Sequence, residues 1–390
     1  MIRSLMAGLL LAGTAAAASE TVLPPFTTGY EPTTVDERGL WMDADNRERV
    51  LLTSKLTMKD EALNAYVHGV LCRTVGQERC RGVRTYVVEM PAFNASMAPN
   101  GTMIVWTGLL MRARSEAELA AILGHEFAHF ELRHSLNGFK QRRGATDLAA
   151  WVQVLGAVAN TNTQDTQVSI LASMFRFSRE QEQAADLLGI KYMASAGYPA
   201  TAAADVWQNI MAEDDASAIG RGRKPRQNYA DGYFDTHPSS LRRATYLTAE
   251  AAKLGGTTSD PRTEALRAAT ATHLPSWLDA QIKINDFGGT EYLLDQLSRQ
   301  SGWTGDLLFA RGELYRQRGA PRDLVASAGF YRDAIAKGYT KPAVHRNLGM
   351  ALLRTNHAAD GTQALSEYLR LQPDANDAKA IQTLISTYRN

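Results

Sequence analysis

The run Gly124-His125-Glu126-Phe127-Ala128-His129 holds two histidines four residues apart. On a helix, residues at that spacing lie one turn above each other on one face, so both imidazoles can reach one cation. Neutral imidazole suits Zn²⁺, a borderline-soft ion. Glu126, adjacent to the first histidine, can take a proton from metal-bound water without being a ligand, and zinc brings that water's pKa down to about 7. A catalytic zinc site has three protein ligands and one open position, so a third ligand must lie elsewhere. Ser135 stands where one known pattern has its third histidine, with Leu132 in place of that pattern's glycine. Leu148 and Ala149 stand where another places a glutamate. The remaining candidate is Glu182, in the run Ser178-Arg-Glu-Gln-Glu182-Gln-Ala-Ala-Asp186. Glu182 and Asp186 are also four apart and share a helical face. Glu182 can complete the ligand set for one zinc per chain. Asp186 can accept a hydrogen bond from the other nitrogen of a ligand histidine and fix its orientation.

These residues need rigid elements beneath them. Ser115 is placed to cap a helix, with Glu118 three residues on at the spacing of a capping box. Leu119, Ile122, Leu123, Phe127 and Phe130 give that helix an apolar stripe, with the chemistry on another face. Upstream, residues 36–75 read as helical, with Leu63, Val67 and Leu71 in phase. Two β-rich runs follow, Arg84 to Glu89 and Met103 to Trp106. The second is either an edge that an extended peptide could join through main-chain hydrogen bonds, or a plain core strand. A helical hairpin is expected over residues 146–159 and 167–194. The polar stretch Asp214 to Asp235 contains Arg221, Arg223, Lys224 and Arg226 and reads as a lid or a disordered loop.

Lys253 to Pro261 is rich in turn residues and marks a domain boundary. Beyond it the chain is helical and weakly repetitive. Gly312 and Gly349 each follow an apolar helix start, with Tyr315 and Leu352 three residues later. Tyr331 and Ala334 fit the second helix of one unit, and Leu365, Tyr368, Leu371 and Pro373 that of the next. The pattern is close to a tetratricopeptide repeat, although its period is 37 residues rather than about 34. The expected organisation is a signal peptide over 1–18, a metallopeptidase domain over 19–255, mainly α with a small β-sheet, and an all-α tetratricopeptide-like domain over 262–390. Stacked repeats offer a concave surface to partners.

Arg3, the apolar run Leu5 to Leu11 and Ala16-Ala17-Ala18 form the three parts of a secretory signal. Without that segment the chain has 41 basic and 41 acidic residues, a balance that gives no electrostatic reason to expect nucleic acid or anionic lipid. The longest later apolar run, Leu148 to Ala159, is too short to span a bilayer. In an exported chain the two cysteines, Cys72 and Cys80, are expected to pair as a disulfide.

HEFAH, then SREQEQAAD about fifty residues later, then HPSSLRR, resembles metallopeptidase family 48, the gluzincins that include the CaaX prenyl endopeptidases. The upstream Phe93-Asn-Ala and Pro99-Asn-Gly segments add to the resemblance, which covers residues 30–250. It implies a gluzincin fold with Glu182 as third ligand and Glu126 as general base. It also implies that His237 and Arg243 face the cleaved carbonyl, where a cationic donor would stabilise the developing oxyanion. His237 has a second reading, occupying the open position of zinc in a resting state. With export and C-terminal repeats, the resemblance implies a periplasmic endopeptidase acting on unfolded or misassembled envelope proteins, its repeats docking substrate or outer-membrane assembly machinery. The competing reading is a chaperone-like adaptor in which the repeats act and the peptidase site is vestigial. The presence of Glu126 argues against it. The other histidines, His68, His134, His273, His345 and His357, have no ligand spacing and are expected to be structural.

Overall fold

The structure is a computed structural model and describes residues 30–145, 177–225, 241–257, 259–260 and 262–389. Residues 36–75 are two helices, α1 (Val35–Thr53) and α2 (Glu61–Val75), where the sequence suggested continuous helix. Between them the main chain runs beside the sheet: Glu89 N donates to Leu56 O at 2.8 Å and Met58 N to Val87 O at 2.9 Å. Backbone groups satisfied by a strand are not available to a helix, so the helix stops at Thr53. Asp60 restarts it by accepting the Leu63 N–H.

Thr34 and Glu37 form a capping box at the start of α1. The buried Glu37 carboxylate also accepts from Tyr30 Oη and Thr33 N, each at 2.8 Å. Burial alone would raise its pKa, but these donors outweigh burial and hold it at about 2. A carboxyl depressed in the folded state stabilises the fold fully above its unfolded pKa, and that contribution is lost as pH falls through the folded value. Wild type should therefore exceed Glu37→Gln in urea-unfolding free energy above pH 4.5, with the gap closing as pH falls towards about 2. A gap constant with pH would show that these donors do not hold a charge.

Among the described residues the sheet has three strands, β1 (Arg84–Val88), β2 (Ala95–Met97) and β3 (Thr102–Trp106), in the order β1-β3-β2. β1 runs parallel to β3 from Arg84↔Thr102 to Val88↔Trp106, and β2 runs antiparallel to β3 with Ser96 opposite Ile104. The strand over Met103 to Trp106 is therefore central and buried at every position, not an edge. β2 was not anticipated, because three residues carry no readable alternation. Cys72, near the end of α2, is disulfide-bonded to Cys80 at the end of the short α3 (Gln77–Cys80). Gly76 joins the two helices at φ 93°.

Among the described residues six more helices belong to this part: α4 (Thr107–Arg112), α5 (Glu116–Glu131), α6 (His134–Ala145), α7 (Arg179–Ser195), α8 (Ala202–Gly220) and α9 (Leu241–Leu254). α5 is buried from Glu116 to Phe130, so its polar face is as enclosed as its apolar stripe. Ser115 Oγ accepts from Glu118 N at 3.1 Å, but the Glu118 carboxylate turns to Arg114, so the expected capping box is half formed. Glu116 fills the N-terminus of α5, accepting from Tyr66 and Tyr198 hydroxyls at 2.7 Å and Arg73 at 2.8 Å. A negative charge is favourable at that end of a helix dipole.

The polar stretch expected to be loop from Asp214 begins as helix, since α8 runs on to Gly220. Glu213 forms a buried ion pair with Arg112 at 2.6 Å, drawing that end of α8 into the core. Residues 226–235 of that stretch, and the first arm of the expected hairpin, lie outside the described residues.

Eight helices follow: α10 (Thr263–Thr270), α11 (Leu274–Lys283), α12 (Phe287–Ser301), α13 (Gly305–Arg318), α14 (Pro321–Ala336), α15 (Ala343–Arg354), α16 (Ala358–Leu371) and α17 (Ala378–Arg389). The two glycines noted in the sequence stand where successive helices cross. A Cβ on Gly312 would come within 2.5 Å of the Tyr331 ring, and one on Gly349 within 2.6 Å of Leu365. One hydrophobic core runs from Leu63 in α2 to Leu314 in α13, and smaller clusters serve the helices beyond. Among the described residues no helix is long and apolar enough to cross a membrane.

Candidate metal centre

Helices α5 and α7 touch backbone to backbone. A Cβ on Gly189 would stand 2.9 Å from His125 N, and one on Gly124 would stand 3.3 Å from Gly189 O. Only glycine lets the two main chains approach so closely. Ser178 and Gln181 form a capping box that starts α7, placing Glu182 in its first turn. Gly189→Ala should cost about 1–3 kcal/mol by overpacking and weaken zinc binding by pushing Glu182 away from α5. Thermal unfolding and a zinc-chelator competition check both effects, and two unchanged values would mean that this contact does not set the helix spacing.

The contact brings His125, His129 and Glu182 together, buried at 3%, 1% and 4% exposure. The two histidine Nε2 atoms are 3.1 Å apart. Glu182 Oε2 lies 3.5 Å from His125 Nε2, and Oε1 lies 3.5 Å from His129 Nε2. Three ligands on a tetrahedral zinc stand about 3.3–3.4 Å apart, given bond lengths of about 2.0–2.1 Å.

The protonation pattern fits a cation as well. His125 Nδ1 is 2.8 Å from Asp186 Oδ1, an acceptor that requires the proton on Nδ1. His129 Nδ1 is 2.8 Å from His134 Nδ1. Burial, with His125 nearby, pushes His134 down to about 4, leaving it neutral and able to accept. Both Nε2 lone pairs then point at each other and at a carboxylate. Such an electron-rich cluster, out of water, calls for a positive ion between its members. Glu126 is buried beside them on α5 at 4% exposure, and Phe177 stacks on the His129 ring at 3.8 Å between centroids.

Asp186 sits behind the donors in a second ion pair. Arg243, from α9, gives it two hydrogen bonds, Nε to Oδ2 at 2.8 Å and Nη2 to Oδ1 at 2.7 Å. Arg243 Nη1 lies 3.0 Å from Glu182 Oε2, and the guanidinium covers the Trp207 ring at 4.0 Å. Tyr246, one turn along α9, donates its hydroxyl to Asp186. Burial works against both charges, yet Arg243 and His125 hold Asp186 below the usual carboxylate range. Asp186 and Glu182 in turn raise Arg243.

Thus His125, Glu126, His129, Glu182, Asp186 and Arg243 are brought to one place, while His237 lies outside the described residues. His134, Gly189, Phe177 and Tyr246 join them without having been picked from the sequence. His134 was set aside because five residues separate it from His129. However, α5 ends at Glu131 and Arg133 takes φ 56°, so the chain turns and delivers His134 back to His129. His68 is also less isolated than it looked, 3.4 Å from Cys72 Sγ.

Residues 58–251 match the model of peptidase family M48. Over 164 residues the chain is 31% identical to the mitochondrial metalloendopeptidase OMA1 of Arabidopsis thaliana, covering 41% of this chain and 30% of that protein. Over 231 residues it is 26% identical to the β-barrel assembly-enhancing protease of Yersinia pestis, covering 54% and 47%. Human metalloendopeptidase OMA1 is 29% identical over 174 residues, covering 42% and 31%. In these matches the chain spans less than half the length of each curated relative.

Proposed function

The chain belongs to peptidase family M48, and from that premise we propose that it is a zinc-dependent endopeptidase of unfolded or misassembled proteins. The observation that carries the reading is the buried triangle of His125, His129 and Glu182, with edges of 3.1 to 3.5 Å. These three residues would hold the metal. Bound zinc supplies Lewis acidity, acidifying water and polarising the scissile carbonyl. Glu126 takes the proton of the attacking water and returns it to the leaving nitrogen. Asp186 keeps the His125 proton on Nδ1. Arg243 acts as a positioning residue that holds Asp186 and Glu182 in register, and His134 does the same for His129.

The reading extends to an exported chain acting in the periplasm, with the peptidase part expected over 19–255 and tetratricopeptide-like repeats over 262–390, the two joined by one hydrophobic core that runs on to Leu314. The close helix crossings at Gly312 and Gly349 support the repeats. Their partners would be envelope proteins under assembly or the outer-membrane machinery that assembles them.

The test is cleavage of reduced, unfolded casein by purified protein. Activity should disappear with 1,10-phenanthroline and return with stoichiometric zinc. Folded, zinc-loaded protein that binds casein without cutting it would favour the adaptor reading instead.

A further inference from the structure

Helix α5 ends on a conformation that its sequence does not favour. Arg133 takes φ 56°, donates its N–H to Phe130 O at 3.0 Å and accepts from Asn137 N at 3.0 Å, so one residue closes α5 and opens α6. A left-handed residue just past a helix end is usually glycine, sometimes asparagine. A residue with a Cβ is strained there and persists only where its surroundings hold it. An arginine at that position therefore needs a holder, and the N-terminal segment supplies one.

The guanidinium lies over the Tyr30 ring, 3.8 Å from its centroid, and Nη1 is 3.5 Å from Glu37 Oε1. Glu37 stands in the first turn of α1, and its other oxygen accepts from Tyr30 Oη, so ring and carboxylate are fixed to each other. Arg133 and Glu37 are both buried, where a cation over an aromatic face and a facing carboxylate are little screened. The residue that this turn places next is His134, whose Nδ1 meets that of His129 at 2.8 Å. The clamp thus reaches the metal centre in two steps: α1 holds the turn, and the turn holds the partner of a ligand histidine.

We propose that Arg133 is a positioning residue of the metal centre, clamped by Tyr30 and Glu37 in the left-handed turn that delivers His134 to His129. This role rests on the reading of His129 as a zinc ligand. Arginine where glycine would serve makes zinc affinity depend on the docking of the segment from Tyr30 to Glu37.

The test measures zinc affinity of the full chain by chelator competition at neutral pH, with circular dichroism to show that each variant is folded. Arg133→Ala keeps the strain and loses the clamp. It should weaken zinc binding about 10–100-fold, as should His134→Ala, the usual effect of losing a partner of a ligand histidine. The two changes combined should cost no more than either alone, because they act through one contact. Glu37→Gln removes the facing charge and should weaken binding about tenfold. Arg133→Gly adopts the turn without strain, so it should recover most of the affinity that Arg133→Ala loses. In its background Glu37→Gln should no longer loosen zinc. In metal-free protein the Asn137 amide should exchange faster in Glu37→Gln and Arg133→Ala than in wild type or Arg133→Gly.

A role confined to stability predicts otherwise: every variant unfolds more easily but binds zinc as wild type does once folded. That result, or Glu37→Gln loosening zinc equally in the Arg133→Gly background, would overturn the inference while leaving the zinc reading in place. Asn137 exchange unchanged by Glu37→Gln would do the same, since the turn would then hold without the clamp. Folded wild type that binds no zinc would overturn the zinc reading and this inference with it.

Discussion

Glu126→Gln should retain one zinc per chain and the wild-type melting temperature while losing about 10²–10⁴-fold in turnover of an unfolded protein, the usual contribution of a general base. Glutamine has nearly the volume and shape of glutamate, so the packing around α5, buried here on every side, is preserved. Glu126 is assigned no ligand role, so its loss leaves the three donors of His125, His129 and Glu182 in place. What glutamine cannot do is accept the proton of the attacking water. The drop should fall on kcat rather than KM, because the side chain acts in the transition state and not in holding the peptide. Zinc content, melting temperature and casein turnover, measured on one preparation, check all three statements. Undiminished turnover in a zinc-loaded variant would remove Glu126 from the mechanism.

The second large effect concerns Arg243→Ala, where stability and metal binding should fall together. The guanidinium is the cation that the buried Asp186 and Glu182 carboxylates face, at 2.7 to 3.0 Å. Removing one partner of a buried ion pair leaves charge without compensation and typically costs about 3–5 kcal/mol. The change should also loosen zinc, since Asp186 would no longer be held on His125. A guanidinium acting only as an oxyanion donor predicts something different: lower kcat with stability and zinc affinity intact. Denaturant unfolding with a chelator titration separates the two roles. Stability and zinc affinity at wild-type values would return Arg243 to the role of facing the carbonyl.

Much of this centre could be read from the sequence because its parts obey helical spacing. His125 and His129, like Glu182 and Asp186, are each four residues apart, so each pair declares its own face. What spacing within one helix cannot convey is how two helices meet. Gly189 is silent in the sequence, yet its missing Cβ lets α7 press on α5. The contact of His134 with His129 is hidden for a related reason, since a left-handed residue at Arg133 ends the helical count.

The sheet shows the same limit. Two of its strands were visible as β-rich runs, but the order β1-β3-β2 depends on β2, whose three residues are too few to show a period. Nor did the turn-rich segment near residue 255 reveal that α10 to α13 share a core with α5. That continuity comes from contacts such as the Arg112–Glu213 pair and its neighbour Gln281, 169 residues from Arg112. Helical periodicity carries no information over such separations.

In the proposed mechanism everything depends on His125, His129 and Glu182 holding one catalytic zinc. The most direct test is elemental mass spectrometry of protein purified without added metal, wild type beside Glu182→Ala, with circular dichroism to show that both are folded. Wild type should carry close to one zinc per chain and Glu182→Ala a small fraction of that. Folded wild type without metal, or a Glu182→Ala variant that keeps its full zinc, would contradict it.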